Sequence, residues 1–553
     1  MQQAIRPRGR IPNIAIIGAG ISGLRCADVL IRSGARVTIY EARDRIGGRV
    51  HQVELGGRLM DTGANWIHGS QSNPIADIAE RTNTTTTFLE DSEAIIDTKG
   101  NRMDNRVASE LSEAVWGIIA KAFRYSDEHS AEIDKCQSLM DYFQELVNEV
   151  TEDASMQALV LQQAQMWGAF VGDPIERQSL KFFFLEECID GENAFVAGTY
   201  KKILAEIAAT ALADADIRLN EEVVFFHAHH DPQSTLPAPV TIQTRSGTQH
   251  TYDEVVLTAP LGWLKRHKYD AFPPDSPLPS RLLQAIDNIS YSRLEKVYIT
   301  FPTAFWQQDT STAASHLDDS PTSNLSSSSA SSAQSGPSTY PWFTHFSTPD
   351  YAPHPPDIPW NQVLVNLAAL PDTTSHPTLL FYIYGACATH LVNLIQDMPV
   401  STSPSSIYHQ TLRTFFEPYY SRLPNYDVLS PSCAPSAFLA TKWQLDPFAG
   451  NGAYTNFQVG LENADKDIEV MREGIGEERR LWLAGEHTAP FLTLGTTTGA
   501  YWSGEGVARR IVNLYDALEV SEAAVGEEVD EEKMKKVPNV EKRDAANANG
   551  LAL

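Results

Sequence analysis

Six stretches of the chain concentrate apolar, β-branched and aromatic residues over a few positions, each bounded by glycine, proline or charge: NIAIIG, RVTIY, EVVLTAP, KVYITF, TLLFYIYG and RLWLAGE. Runs of that length and composition read as buried strands. Between them lie helical patterns such as TYKKILAEIAATALADA, where apolar residues recur every three or four positions. Alternation of the two predicts an α/β architecture with a parallel sheet in at least one domain. Two stretches break the pattern. Between Ser311 and Ser338, 12 of 28 residues are serine, which predicts a flexible insertion over 309–339. From 517 to 553 the sequence is charged and aperiodic, which predicts a disordered acidic tail.

One residue stands out against this pattern. Lys296 sits at the mouth of YSRLEKVYITFP, a strand-like run that is otherwise apolar or β-branched. Read alone it is a surface lysine whose long stem carries the ammonium to water. A functional role needs support from the rest of the chain.

At 553 residues and 42% apolar content, the chain can fill two or more cores. The net charge of −27 argues against nucleic acid or an anionic membrane as partner and favours cationic ligands. Cys26, Cys136, Cys188, Cys387 and Cys433 are scattered with no CxxC spacing. That predicts no metal site and no disulfide framework, and a reducing compartment. No apolar run reaches the length of a membrane span. The opening MQQAIRPRGR has no signal-peptide pattern, and the closing GLAL is not a peroxisomal address. Cytoplasmic localisation is expected, and no oligomeric state follows from the pattern.

NIAIIGAGISGLRCADVLIRSGARVTIYEA places Gly18, Gly20 and Gly23 as GxGxxG between a strand and a helix. The first glycine permits the tight turn and the second lets backbone approach a pyrophosphate. The third lets the helix pack on the strand, with the helix N-terminus facing the phosphates. Glu41 closes the second strand, where an acid accepts from ribose hydroxyls. The motif reads as an ADP-moiety site, common to NAD and FAD. Directly after it, ARDRIGGRV brings Gly47 and Gly48 into a second turn, with Arg43 and Arg49 offering charge to phosphate. A pure NAD domain has no need of that extension.

In these residues the chain resembles the flavin amine oxidase superfamily, whose FAD fingerprint continues as E-x-R-x-R-x-G-G-R. MDTGANWIHGS (60–70), EVVLTAPLGWLK (254–265), the block 271–306 that carries Lys296, and LWLAGEHTAPFLTLGTTTGAYWSGEGVARR (481–510) resemble further segments of that family in the same order. The resemblance implies a Rossmann-like FAD-binding domain at 11–90, 195–285 and 441–516. It would be interleaved with a substrate domain of mixed sheet and helices at 91–194 and 286–440. Besides the glycines and Glu41, it implies cofactor contacts at Ser22, Ala42, Arg43, Gly48, Arg49, Gly63, Ala64, Asn65, Trp66, Val223, Trp443, Gly485, Glu486, Thr496 and Thr497. Lys296 would hold a water near flavin N5, and no metal is implied.

Three departures sort the relatives. Ala453 in AGNGAYT stands where covalent-flavin monoamine oxidases carry cysteine, so the FAD would be non-covalent. Tyr454 matches one tyrosine of their substrate sandwich, but Thr496 stands at the other. No counterpart of the extra helical domain of the histone-lysine demethylases is expected, since about a dozen residues precede the first strand here. What remains resembles the polyamine oxidase branch, with His68 facing the substrate amine and Trp167 and Asn193 lining its tunnel. Glu186, Glu187 and Asp190 are either exposed acids or readers of a distal ammonium. The implied reaction moves a hydride from the carbon beside the amine to flavin N5. The imine hydrolyses to aldehyde plus amine, and O2 reoxidises the flavin to H2O2. Alternatives are an L-amino-acid or monoamine oxidase, and an idle flavoprotein used as a binding scaffold.

Overall fold

The computed structural model describes residues 11–88, 93–228, 239–307, 340–475 and 480–523. The serine-rich segment 309–339 and most of the tail 517–553 lie outside them. Strand β1 (Asn13–Ile17), helix α1 (Ile21–Arg32) and strand β2 (Arg36–Tyr40) open the described residues as a β–α–β unit whose strands pair in parallel. β1 is central because Ile14, Ala15 and Ile16 are fully buried, as a parallel strand covered on both faces requires. Its sheet has five strands, ordered Leu481–Leu483, Glu254–Leu257, β1, β2 and Asp216–Arg218, with every pairing parallel. Helix α1 packs against the helices Thr497–Ala523 and Lys201–Asp214. Glycine makes this approach possible. A Cβ on Gly504 would stand 2.0 Å from the Ser22 carbonyl oxygen, and one on Gly23 2.1 Å from that of Gly18.

A second, six-stranded sheet runs Ala437–Ala440, Leu294–Thr300, Thr378–Tyr384, Gln362–Asn366, Phe343–Phe346 and Glu93–Ile96. It is antiparallel except for the last pair. The predicted strand KVYITF is therefore an inner strand, and alternation divides its side chains between two faces. Val297 and Ile299 face a core shared with the helices Gly385–Ile395 and Ile407–Tyr420. Leu294 and Tyr298 face a core shared with the long helix Asn105–His129, and Lys296 lies on their face. It is not a surface residue: 7% of it is exposed. Directly opposite it in the register stands Tyr382, whose ring centre is 5.4 Å from the ammonium.

Candidate active site

One continuous cavity draws its walls from both sheets. Gly18, Gly20 and Ser22 line it where β1 turns into α1. Gly20 caps the helix without a side-chain hydrogen bond, so the first N–H groups of α1 are left for an anion. A Cβ on Gly20 would meet nothing within 4 Å, whereas one on Gly18, at φ +112°, would strike the Thr258 hydroxyl. Ser22 Oγ is buried with no hydrogen-bond partner among the described residues. A free hydroxyl beside free amides suits a pyrophosphate oxygen. Gly23 serves the packing that the motif also requires of its third glycine. It does not reach the cavity, and its service is the close packing of α1 described above.

Glu41 is buried on the cavity wall. Its Oε2 accepts from the Ala19 N–H at 2.8 Å and its Oε1 from the Arg43 N–H at 2.9 Å. Each carboxylate oxygen keeps a lone pair for a ribose hydroxyl. Ala42, Arg43, Gly48, Arg49 and Val223 share the same wall. The two arginines are already paired: Arg43 with Asp446 at 2.9 Å, and Arg49 with Glu486 at 2.9 Å. Arg49 also donates to the Ala453 carbonyl and to Tyr291 Oη, tying the turn after β2 to the closing segment. Gly485, Thr496 and Thr497 line the cavity where the helix Thr497–Ala523 begins. Its N-terminal dipole favours negative charge at that point.

Gly63, Ala64, Asn65 and Trp66 form the wall facing Lys296. Gly63 admits no side chain, since a Cβ would stand 1.6 Å from the Arg49 carbonyl oxygen. Trp443 Nε1 donates to the Thr62 carbonyl at 3.0 Å, which pins this segment. The Lys296 ammonium donates to the Gly63 carbonyl and to Asn65 Oδ1. Burial pushes its pKa down to about 7, while the charge of Asp61 works in the opposite direction. Asp61, buried beneath it, is pushed up to about 7 by desolvation, against hydrogen bonds from Gln52 and the Tyr200 N–H.

His68, Trp167, Asn193 and Tyr454 all line the same cavity. Burial lowers His68 to about 4, opposed by a hydrogen bond between its ring and the Asn193 side chain. The imidazole is therefore neutral near pH 7. Trp167 is buried and stacked on Phe170 at 5.0 Å. Tyr454 Oη donates to the Phe170 carbonyl. The three acids separate. Glu187 and Asp190 are exposed, whereas Glu186 is half-buried and lines the cavity. It sits in a 3-10 turn, Phe183–Glu186, where desolvation pushes its carboxyl up to about 8.

Sequence reasoning missed Tyr382, Trp116, Phe123, Phe170 and Cys188, which also line the cavity. Tyr382 becomes visible only once its strand is paired in register with that of Lys296. Trp116 and Phe123, seven residues apart on one helix, carry the same signal as a core stripe.

Among the described residues, no helix is long and apolar enough to cross a membrane, and no cluster of metal-ligating side chains occurs. The profile of the flavin containing amine oxidoreductase family matches residues 21–380 and 410–512. Probable polyamine oxidase 4 of Arabidopsis thaliana is 29% identical over 310 residues, 53% of this chain and 59% of that protein. The match thus spans about three fifths of the plant relative's length. The human peroxisomal N(1)-acetyl-spermine/spermidine oxidase is 23% identical over 551 residues, 91% of this chain and 95% of the relative. Among solved structures, a putrescine oxidase bound to putrescine superposes with a TM-score of 0.61 at 17% identity, covering 91% of this chain and 99% of that one. That likeness shows the shared fold. With the family profile spanning most of the chain and its cofactor cradle built as described, the protein belongs to the flavin-containing amine oxidoreductases.

Proposed function

We propose that the protein is an FAD-dependent polyamine oxidase that uses O2 as acceptor and acts on spermine- or spermidine-like amines, acetylated or free. The observation that carries this reading is that one cavity joins the dinucleotide cradle to an aromatic wall that includes a recessed acid, Glu186. The names of the plant and human relatives support the same substrate class. Gly18, Gly20, Ser22 and Glu41 would hold the ADP half of FAD, and Gly63–Trp66, Gly485, Glu486, Thr496 and Thr497 its flavin half. When bound, the flavin takes up the hydride from the carbon beside the amine and passes the electrons to oxygen, giving H2O2.

The chain's own residues prepare the amine for that step. Trp167, Phe170 and Tyr454 offer an apolar wall to a polymethylene chain, and Glu186 offers a carboxylate to a cationic nitrogen. An alkylammonium releases its proton near pH 10.4 in water. The reacting nitrogen must be neutral, and a dry wall beside the Lys296 ammonium lowers its pKa. His68, neutral and anchored by Asn193, presents a ring nitrogen that accepts from an amine N–H without repelling the substrate's charge. Two ammonium protons of Lys296 are taken by Gly63 and Asn65, which leaves the third to orient a water for imine hydrolysis.

An amino-acid oxidase would need a free cation for the substrate carboxylate. The arginines lining the cavity, Arg43 and Arg49, are both engaged with carboxylates, which favours the polyamine reading. The division into FAD-binding segments 11–90, 195–285 and 441–516 around substrate segments 91–194 and 286–440 belongs to this reading. It is supported by the way the five-stranded and six-stranded sheets draw their strands. Cytoplasmic residence is supported by five unpaired cysteines. Anaerobic mixing with spermine, N-acetylspermine, putrescine and a panel of amino acids tests the function. The polyamines should bleach the flavin fastest; bleaching by amino acids alone, or by none, overturns the proposal.

A further inference from the structure

Asn65 lies at the centre of a buried polar chain with one consistent direction. Trp66 Nε1 donates to Tyr382 Oη at 3.1 Å, and Tyr382 Oη donates to Asn65 Oδ1 at 3.1 Å. The same Oδ1 accepts from the Lys296 ammonium. On the other side, Asn65 Nδ2 donates to Tyr298 Oη at 3.2 Å, and Tyr298 Oη donates to the Asp61 carbonyl at 2.6 Å. Each hydroxyl thus receives one hydrogen bond and gives one. Turning the carboxamide over would set its NH2 against an ammonium, which has no lone pair, and would leave Tyr382 without an acceptor. Its members are buried: Asn65 and Tyr382 are each 4% exposed and Tyr298 1%. A satisfied network in such surroundings is stiff, and losing one member leaves buried polar atoms unpaired.

We propose that Asn65 is a positioning residue for the oxidation: its carboxamide, fixed from behind by Tyr298 and Tyr382, holds the Lys296 ammonium aimed into the cavity and sets its proton affinity. The inference rests on the reading above that Lys296 acts at the bound flavin. The resemblance assigns Asn65 only to the cofactor wall, and the structure adds its grip on the lysine.

Few other charged groups face Lys296. Asp61 approaches from the strand Arg58–Asp61, and Tyr298 and Tyr382 are phenols whose own ionisation is pushed far above neutrality by burial. Glu295 points to the opposite face of the strand, where its carboxylate accepts from Thr441 Oγ1 and from the Trp443 and Gln444 N–H groups. Since burial already brings the ammonium down to about 7, its titration falls in an accessible range.

The test is a pH titration of the visible spectrum of the oxidised, FAD-loaded enzyme without any amine. A charge titrating beside the flavin shifts its absorption, and Lys296→Met identifies the inflection by abolishing it. Asn65→Asp, nearly isosteric, places a carboxylate on the ammonium and should raise the inflection by about one pH unit or more. Asn65→Leu removes the acceptor and should lower it. A merely structural role gives no shift, or shifts of the same sign in both variants, and either result overturns the proposal. If Asn65→Leu does not retain FAD, the direction of the Asn65→Asp shift decides alone. Because no substrate is present, the outcome is separate from whether polyamines are oxidised.

Discussion

Asn193 holds His68 by its side chain: the carboxamide hydrogen-bonds the imidazole, and its Oδ1 also accepts from the Gly69 N–H at 2.9 Å. The bond opposes the lowering that burial imposes on the ring. It holds the ring in place at the cavity wall before any substrate arrives. Asn193→Leu should free the ring, raise KM for polyamines by about five- to twentyfold and leave flavin content unchanged. Steady-state kinetics with a flavin-to-protein ratio checks both halves of this expectation.

On the proposed reading, Glu186 should give the substrate site a pH dependence with a definite sign. Desolvation lifts its carboxyl to about 8, so in the free enzyme at pH 7 it is mostly protonated. A bound ammonium stabilises the carboxylate, so binding expels a proton, and affinity for a diamine should rise as pH climbs toward 8. Above that it should level off, until the amines themselves lose charge near pH 10.4. Glu186→Gln should abolish the rise between pH 6 and 8 and raise KM for spermine roughly 10- to 100-fold, the scale of a lost charge-assisted hydrogen bond. A monoamine, lacking the second nitrogen, should be almost indifferent to the substitution.

Glu41 should be needed for cofactor retention. Glu41→Lys puts a cation where two backbone N–H groups now converge on a carboxylate, and it removes the ribose acceptor. Each charge-assisted bond lost is worth about 1.5–3 kcal/mol. The purified variant should be largely colourless. Stoichiometric FAD would show that the ribose lies elsewhere.

How much of this was legible in the sequence follows from how local each signal is. The β1–α1–β2 unit was readable because its glycines, apolar runs and closing acid lie within one stretch of about thirty residues, and each has a local steric or electrostatic reason. All six strand-like runs are strands, because burial on both faces leaves a near-continuous apolar signature. The environment of Lys296 was not legible. Its acceptors, Gly63 and Asn65, come from another segment, and Tyr382 joins them only through antiparallel register. The same holds for Glu186, which differs from its exposed neighbours Glu187 and Asp190 only in how a 3-10 turn places it. Composition could not rank three acids that geometry separates at once.

Ala453 bears on how the flavin is held. It lines the cavity, and its carbonyl accepts from Arg49 at 2.8 Å, but a methyl side chain offers no sulfur for a thioether. Acid precipitation should release all of the yellow colour into the supernatant, and flavin remaining in the pellet would contradict a non-covalent cofactor.

The central claim is that Lys296, buried on an inner strand and held by Gly63 and Asn65, acts on the chemistry at the bound flavin. Lys296→Met keeps the bulk of the stem and removes the ammonium. FAD should still bind, since the cradle around Gly18, Gly20, Ser22 and Glu41 is untouched. Loss of one preorganised charge and its water typically costs roughly 10²–10³ in rate. Stopped-flow measurement of flavin reduction by spermine and of reoxidation by O2, on wild type and Lys296→Met side by side, is the most direct test. The account predicts a fall of that size in at least one half-reaction with flavin content preserved. Near-wild-type rates in both would contradict it.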